Sequence, residues 1–184
     1  MATAIIRNKA IVTADWQRLT LADIDANGLP ASGKVMVPLA YWKEHKAELL
    51  ARADGACVWL DAGEETADIA EDLAQLDIIG LRFPHHKDGR SYSYARELRL
   101  RYGYQGDILA FGDVLRDQMF YMQRVGFNVF EPRADRDIEV ALEGLSDFSL
   151  AYQGDVHDAR PIWRRWQEVH ARFGSDATAE RKIA

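Results

Sequence analysis

The sequence predicts a single-domain α/β protein built on a mostly parallel sheet. Two observations carry that reading. Short, β-branched apolar runs recur at intervals of about 20 to 30 residues, each too short for a helix. Between them lie segments whose apolar residues repeat at helical spacing, so strands alternate with helices as in βαβ units. An open doubly wound sheet is the preferred arrangement, with a TIM-like partial barrel as the alternative, because periodicity does not separate the two. At 184 residues, with 48% hydrophobic and 28% charged residues, the chain can bury one core without a disulfide or metal staple.

The elements follow in order. Asn8-Lys9 separates two apolar runs, Ala4 to Ile6 and Ala10 to Val12, which suits a small hairpin or a pair of edge strands. Asp25 to Lys34 is rich in turn residues and connects this N-terminal part, residues 1–33, to the main domain, residues 34–154. Strands are expected to start near Val35, Ala56, Ile78, Ile108 and Val129, with Phe148 to Tyr152 as a sixth. Helical faces are expected from Trp42, Leu49, Leu50 and Ala53, and from Ile69, Leu73 and Leu76. Tyr94, Leu98 and Tyr102 make another, as do Leu115, Met119 and Met122, and then Ile138, Ala141, Leu142 and Leu145. Asp158 to Pro161 reads as a helix start. Trp163, Trp166, His170 and Phe173 then form a stripe, expected to dock on the same chain, or alternatively to meet a partner. The tail from Gly174 is expected to fray.

Composition excludes several classes. The single cysteine, Cys57, cannot form an internal disulfide or ligate a cluster alone. A formal charge of −6 argues against nucleic-acid binding. No apolar run reaches the length of about 20 residues that spans a bilayer, and the start lacks a secretory signal pattern, so a cytoplasmic location is expected. The glycine patterns of dinucleotide and P-loop sites, the nucleophile elbow and the C-x-x-C pair are all missing, so no cofactor is expected. His85-His86 has no accompanying cluster of ligand spacing, so no metal is expected either.

Charge is unevenly placed. Eight acids and no base lie between Asp54 and Asp77, read mainly as the outer face of a helix. Arg82, Lys87 and Arg90 then crowd a loop at the carboxyl end of a strand, where open α/β sheets bind ligands. The following helix offers N–H groups there, with Ser91 and Ser93 as caps and Gly89 free to take a positive φ. The next loop brings Asp113 as a helix cap, then Arg116, Asp117 and Gln118 in the first turn. The candidate ligand-binding set is therefore Arg82, Lys87, Asp88, Gly89, Arg90, Tyr92, Ser93, Asp113, Arg116, Asp117 and Gln118. A small oxyanion such as sulfite, sulfate or phosphate, or a carboxylate, fits it, and surface arginines paired with neighbouring acids are the competing reading.

The residues also carry a resemblance. Gly80-Leu81-Arg82-Phe83-Pro84, Asp88-Gly89-Arg90-Ser91-Tyr92-Ser93, Arg101-Tyr102-Gly103-Tyr104 and Gly112-Asp113-Val114-Leu115-Arg116-Asp117-Gln118 resemble an uncharacterised bacterial family. Its small members are labelled as oxidoreductases of sulfite reduction and are encoded beside the haemoprotein subunit of assimilatory sulfite reductase. The likeness is closest from about Ile78 to Phe130 and weaker out to Val35 and Tyr152. His85-His86 departs from the family pattern. The resemblance implies a role in sulfate assimilation, with the sulfite reductase haemoprotein as partner. One cysteine and no cofactor motif leave little to carry electrons, so the expected function is a non-redox accessory that binds the reductase or a small oxyanion. An α/β enzyme acting on a small anionic substrate is the alternative.

Overall fold

The computed structural model describes residues 3–148 and 151–166. Its strands are β1 (Ala4–Arg7), β2 (Ala10–Thr13), β3 (Trp16–Arg18), β4 (Lys34–Pro38), β5 (Ala56–Leu60), β6 (Ile78–Phe83), β7 (Asp107–Gly112) and β8 (Val129–Phe130). They form one sheet in the order β2-β1-β8-β7-β6-β5-β4-β3. From β3 to β8 every neighbouring pair is parallel. The helices are α1 (Leu21–Asn27), α2 (Leu39–Leu50), α3 (Arg90–Leu100), α4 (Arg116–Val125) and α5 (Ile138–Glu143).

The α/β class and the mostly parallel sheet match the sequence reading, but the preferred winding does not. A doubly wound sheet needs a point where strand order reverses. Here the parallel strands follow one another without reversal, as in the partial-barrel alternative. The packing agrees. Buried residues of α2 to α5 join one core with the outward residues Val35, Val37, Val58, Leu60, Ile79 and Leu81. Trp16, Met36, Cys57, Trp59, Leu109 and Phe111 face the other way and form a second cluster with no helix residue in it.

The sheet is strongly curled. Five inter-strand steps separate β3 from β8, which in a flat sheet is roughly 24 Å at about 4.8 Å per step. Yet Arg18 of β3 forms a two-bond ion pair with Glu131, one residue past β8, one bond of it at 2.9 Å. Arg7 of β1 likewise sits 5.6 Å from the Trp16 ring centroid. The hairpin helps close the figure: Asn8 and Lys9 both take positive φ, which lets β2 fold tightly back on β1, and β1 pairs antiparallel with β8.

Several local expectations need correction. The helix expected around Ile69 is two 3₁₀ turns, Thr66–Ile69 and Leu73–Gln75. The acids there do not share one helix face. Asp61 pairs with Arg82, Asp68 with Lys43 and Asp77 with Lys34, while buried Asp72 accepts from Trp42 Nε1 at 2.7 Å. In α2 the backbone kinks at His45; Trp42 and Leu49 are buried, whereas Leu50 at the helix end and Ala53 beyond it lie exposed. Phe148, Ala151 and Tyr152 are not in a strand, and residues 149–150 lie outside the described residues. Residues 162–166 are helical, and Trp163 and Trp166 are 64% and 52% exposed, more than the expected docking on the same chain would leave. His170, Phe173 and the tail lie outside the described residues.

Candidate functional site

Side chains alternate across a strand with a period of two. The inward rows of the half-barrel therefore run Trp16 then Arg18, Trp59 then Asp61, Gly80 then Arg82, Phe111 then Asp113, and Val129 then Glu131. These five rows are apolar in the sheet and turn charged at the carboxyl end, whereas the β4 row, Met36 then Pro38, stays uncharged. The apolar floor is full: a Cβ at Gly80 would meet Trp59 Cβ at 2.9 Å, Met36 Sδ at 3.0 Å and Phe111 Cε1 at 3.2 Å. The charged rim stands above that floor at the strand ends, where β/α barrels place their ligand sites.

A cavity of about 460 Å³ opens at this rim. Its walls include Thr3, Arg18, Gly112, Glu131, Arg133 and Arg136. Arg18 lies over the Phe111 ring, 4.2 Å from its centroid, and is gripped by Glu131. Arg133 donates to Asp113 at 2.8 Å and to both oxygens of Asp135 at 2.6 and 3.0 Å. Those carboxylates raise the Arg133 pKa further above its ordinary range. Arg136 is held more loosely, its one ion pair among the described residues being a 3.7 Å approach to Asp135.

The sequence-derived residues divide into three groups. Arg82 is on the rim but donates to Asp61 at 2.7 Å, and its carbonyl accepts from Ser91 Oγ at 2.7 Å. Asp113 is also on the rim, yet it does not cap a helix, since Leu115 holds the N-cap position of α4. Instead it joins two loops, accepting from His86 N at 2.8 Å, His86 Nδ1 at 3.0 Å and Arg133. The backbone N–H of His86 first, then its ring, with Arg133 adding to both, pull the Asp113 carboxyl down to about 2. Gln118 braces the same joint by donating to the His86 carbonyl at 2.7 Å.

A second group is spent locally. Arg90 turns its fork onto Asp88, with bonds of 3.0 and 2.6 Å, and that pairing lowers the Asp88 carboxyl to about 2. Gly89 has φ −91 rather than a positive φ, and α3 has no side-chain cap: Ser91 bonds to the Arg82 carbonyl instead, and Ser93 is exposed. Lys87 is exposed, and its backbone N–H bonds to His85 Nδ1 at 3.1 Å.

A third group does not line the mouth cavity, though two of its members, Arg116 and Asp117, line a neighbouring cavity with Arg136. Tyr92 packs edge-on against Phe83 with centroids 5.1 Å apart, and burial, aided by Asp117, pushes its hydroxyl up to about 12. Asp117 is exposed in the first turn of α4. Arg116 does not approach Arg90; it donates to the Val140 carbonyl at 3.0 Å and to Asp147 at 2.7 Å, fastening α4 to α5.

His85, His86 and Asp113 bring metal-capable atoms within 4.8 Å of one another. Their bonding favours a hydrogen-bonded joint instead. Asp113 spends one oxygen on Arg133 and the other on His86, and His85 Nδ1 already accepts from Lys87. Arg18, Glu131, Arg133 and Arg136 were not singled out by sequence reasoning. For Glu131 and Arg133 a signal is readable, because Glu131-Pro132-Arg133 directly follows the apolar pair Val129-Phe130, as a strand-end loop would.

A profile of a bacterial protein family of unknown function, DUF934, matches residues 57–163, more than half of the chain. The chain belongs to the DUF934 family. No curated protein sequence and no solved structure matches it. The DUF934 region holds most of the rim, from Asp61 through Arg136, while Arg18 on β3 comes from outside it. Among the described residues, no helix of this DUF934 member is long and apolar enough to cross a membrane.

Proposed function

We propose that the protein binds a small oxyanion at the carboxyl-end mouth of its half-barrel and acts as a non-redox accessory of assimilatory sulfite reduction. One observation carries the anion reading: three arginines, Arg18, Arg133 and Arg136, line the mouth cavity, and while Glu131, Asp113 and Asp135 hold the first two closely, Arg136 has only a 3.7 Å approach to Asp135. Arginine's planar fork suits a multi-oxygen anion. The loosely held Arg136 has the most capacity left for one. The sulfite assignment rests on the motif resemblance around Arg82, Arg90 and Asp113. The non-redox assignment is supported by Cys57, whose thiol burial pushes up to about 12, so little reactive thiolate exists near neutral pH.

The test has two arms. Calorimetric titration of sulfite, sulfate and phosphate into the full chain should show saturable binding. Affinity capture from sulfate-grown cells should recover the sulfite reductase haemoprotein. Loss of the first result removes the anion site, and loss of the second removes the sulfite reduction role.

One observation favours the enzyme reading. Asp113 orients His86 through Nδ1, the arrangement that prepares an imidazole to move protons at Nε2. Turnover of a small anionic substrate by the protein alone, abolished by His86→Asn, would select this reading over the accessory role.

A further inference from the structure

A second group of cations gathers at the opposite end of the half-barrel. Lys9 lies in the β1–β2 turn, beside the start of β8, where Asn8 N donates to the Asn128 carbonyl at 2.9 Å. Arg124 sits in the last turn of α4, and Arg165 in the helical residues 162–166. These three line a cavity of about 200 Å³ together with Phe120, Asp155 and His157.

The two arginines are close, because both donate to the carbonyl of Gln153, Arg124 at 2.9 Å and Arg165 at 3.0 Å. Neither they nor Lys9 has a carboxylate within ion-pair distance among the described residues, although Asp158, held by Arg160, is near enough for Arg165 to help lower its carboxyl pKa. This contrasts with the mouth, where Arg18, Arg82, Arg133 and Arg136 all have one. Asp155, the one acid in the wall, turns Oδ1 toward the N–H groups of His157 and Asp158 at 2.9 and 2.8 Å. The Nε atoms of Arg124 and Arg165 are both buried without a hydrogen-bond partner. Two like charges on one carbonyl, each with a buried N–H unused, leave charge and donors in excess. A buried donor without an acceptor is costly, and an anion with several acceptor oxygens would supply what both lack.

We propose that this cavity is a second anion site, which takes a free tetrahedral oxyanion such as phosphate or sulfate and ties residues 151–166 to α4 and the β1–β2 turn. The bound oxyanion accepts from the arginine Nε groups and meets the Lys9 ammonium. The site lies at the amino ends of the parallel strands, away from the mouth, and does not depend on the function proposed for the mouth.

The experiment is calorimetric titration of inorganic phosphate into the full chain in Tris chloride. It is run in an Arg136→Gln background so that the mouth contributes little. One saturable event is expected. Adding Arg124→Gln or Arg165→Gln should weaken it by about tenfold or more, the effect of removing one charge-assisted hydrogen bond. Phosphate should also slow tryptic cleavage within residues 151–166, and Arg165→Gln should abolish that protection. If either arginine variant fails to fold, Lys9→Gln decides in its place with a smaller but measurable loss. Absence of saturable phosphate binding, or full binding by the variants that fold, would overturn the proposal.

Discussion

Gly80→Ala should destabilise the protein by adding one methyl group to a floor that has no room for it. Gly80 lies opposite Trp59 on β5 and Leu109 on β7 in the parallel ladders. The new carbon would sit 2.9 Å from Trp59 Cβ, a rigid atom fixed to the neighbouring backbone, and 3.0 Å from Met36 Sδ. Met36 can move its thioether, but Trp59 cannot retreat without its strand. Overpacking of this kind costs about 1–3 kcal/mol. For a chain of this size each kcal/mol lowers Tm by about 2–4 °C, so a drop of roughly 2–12 °C is expected in thermal denaturation followed by circular dichroism. Gly89→Ala is the matched control. Gly89 has φ −91 and nothing within 4 Å of its added carbon. Restricting the unfolded chain there should leave stability unchanged or raise it by up to about 1 kcal/mol. Equal melting of Gly80→Ala and wild type would mean that the inner face is not filled as described.

Three other outcomes follow from the same structure. The Asp113 carboxyl is lowered to about 2 from an ordinary 3.8. Its contribution to stability is therefore complete above about pH 4 and lost as pH falls through about 2. The Tm gap between wild type and Asp113→Asn should shrink across that window, and a gap independent of pH would refute the ionic joint. Cys57, pushed up from an ordinary 9.0 to about 12 by burial, should resist alkylation at pH 8 until the chain unfolds. Its contribution to stability should fall as pH rises from about 9 toward 12, and rapid labelling of the native protein would contradict its burial. Trp163 is 64% exposed, so Trp163→Phe should reduce the acrylamide-quenchable fluorescence and shift the remaining emission to shorter wavelength. An unchanged quenchable fraction would show that this ring is covered.

How far the sequence reveals the fold depends on the length of each signal. Runs such as Val35 to Val37, Ala56 to Leu60 and Ile78 to Phe83 are dense enough in apolar residues to announce strands, and all of their residues except Arg82 are buried. β3 is three residues long and offers no periodicity, so neither it nor the ion pair from Arg18 to Glu131 was visible. The start of α1 was visible in principle, because Thr20 and Asp23 make a reciprocal capping box. Strand order is a matter of winding, which local pattern does not encode, so the doubly wound preference had no residue to correct it. The basic loop after β6 is at the strand ends as expected, but which arginines stay available depends on tertiary partners. Asp88 is two residues away and takes Arg90, whereas Asp113 is reached by His86 across 27 residues and by Arg133 across 20. A local reading of Asp113 finds only a helix cap.

Whether the oxyanion sits in the mouth or in the loop after β6 is decided by comparing two arginines. Sulfite is titrated by calorimetry into wild type, Arg136→Gln and Arg90→Gln at low ionic strength. Arg136 lines the cavity and is loosely paired, whereas the Arg90 fork is already filled by Asp88. Arg136→Gln should weaken sulfite about tenfold or more, while Arg90→Gln should bind within about twofold of wild type. Loss of binding in Arg90→Gln with full binding in Arg136→Gln would move the site to the loop after β6, and no saturable sulfite binding by the wild type would remove it.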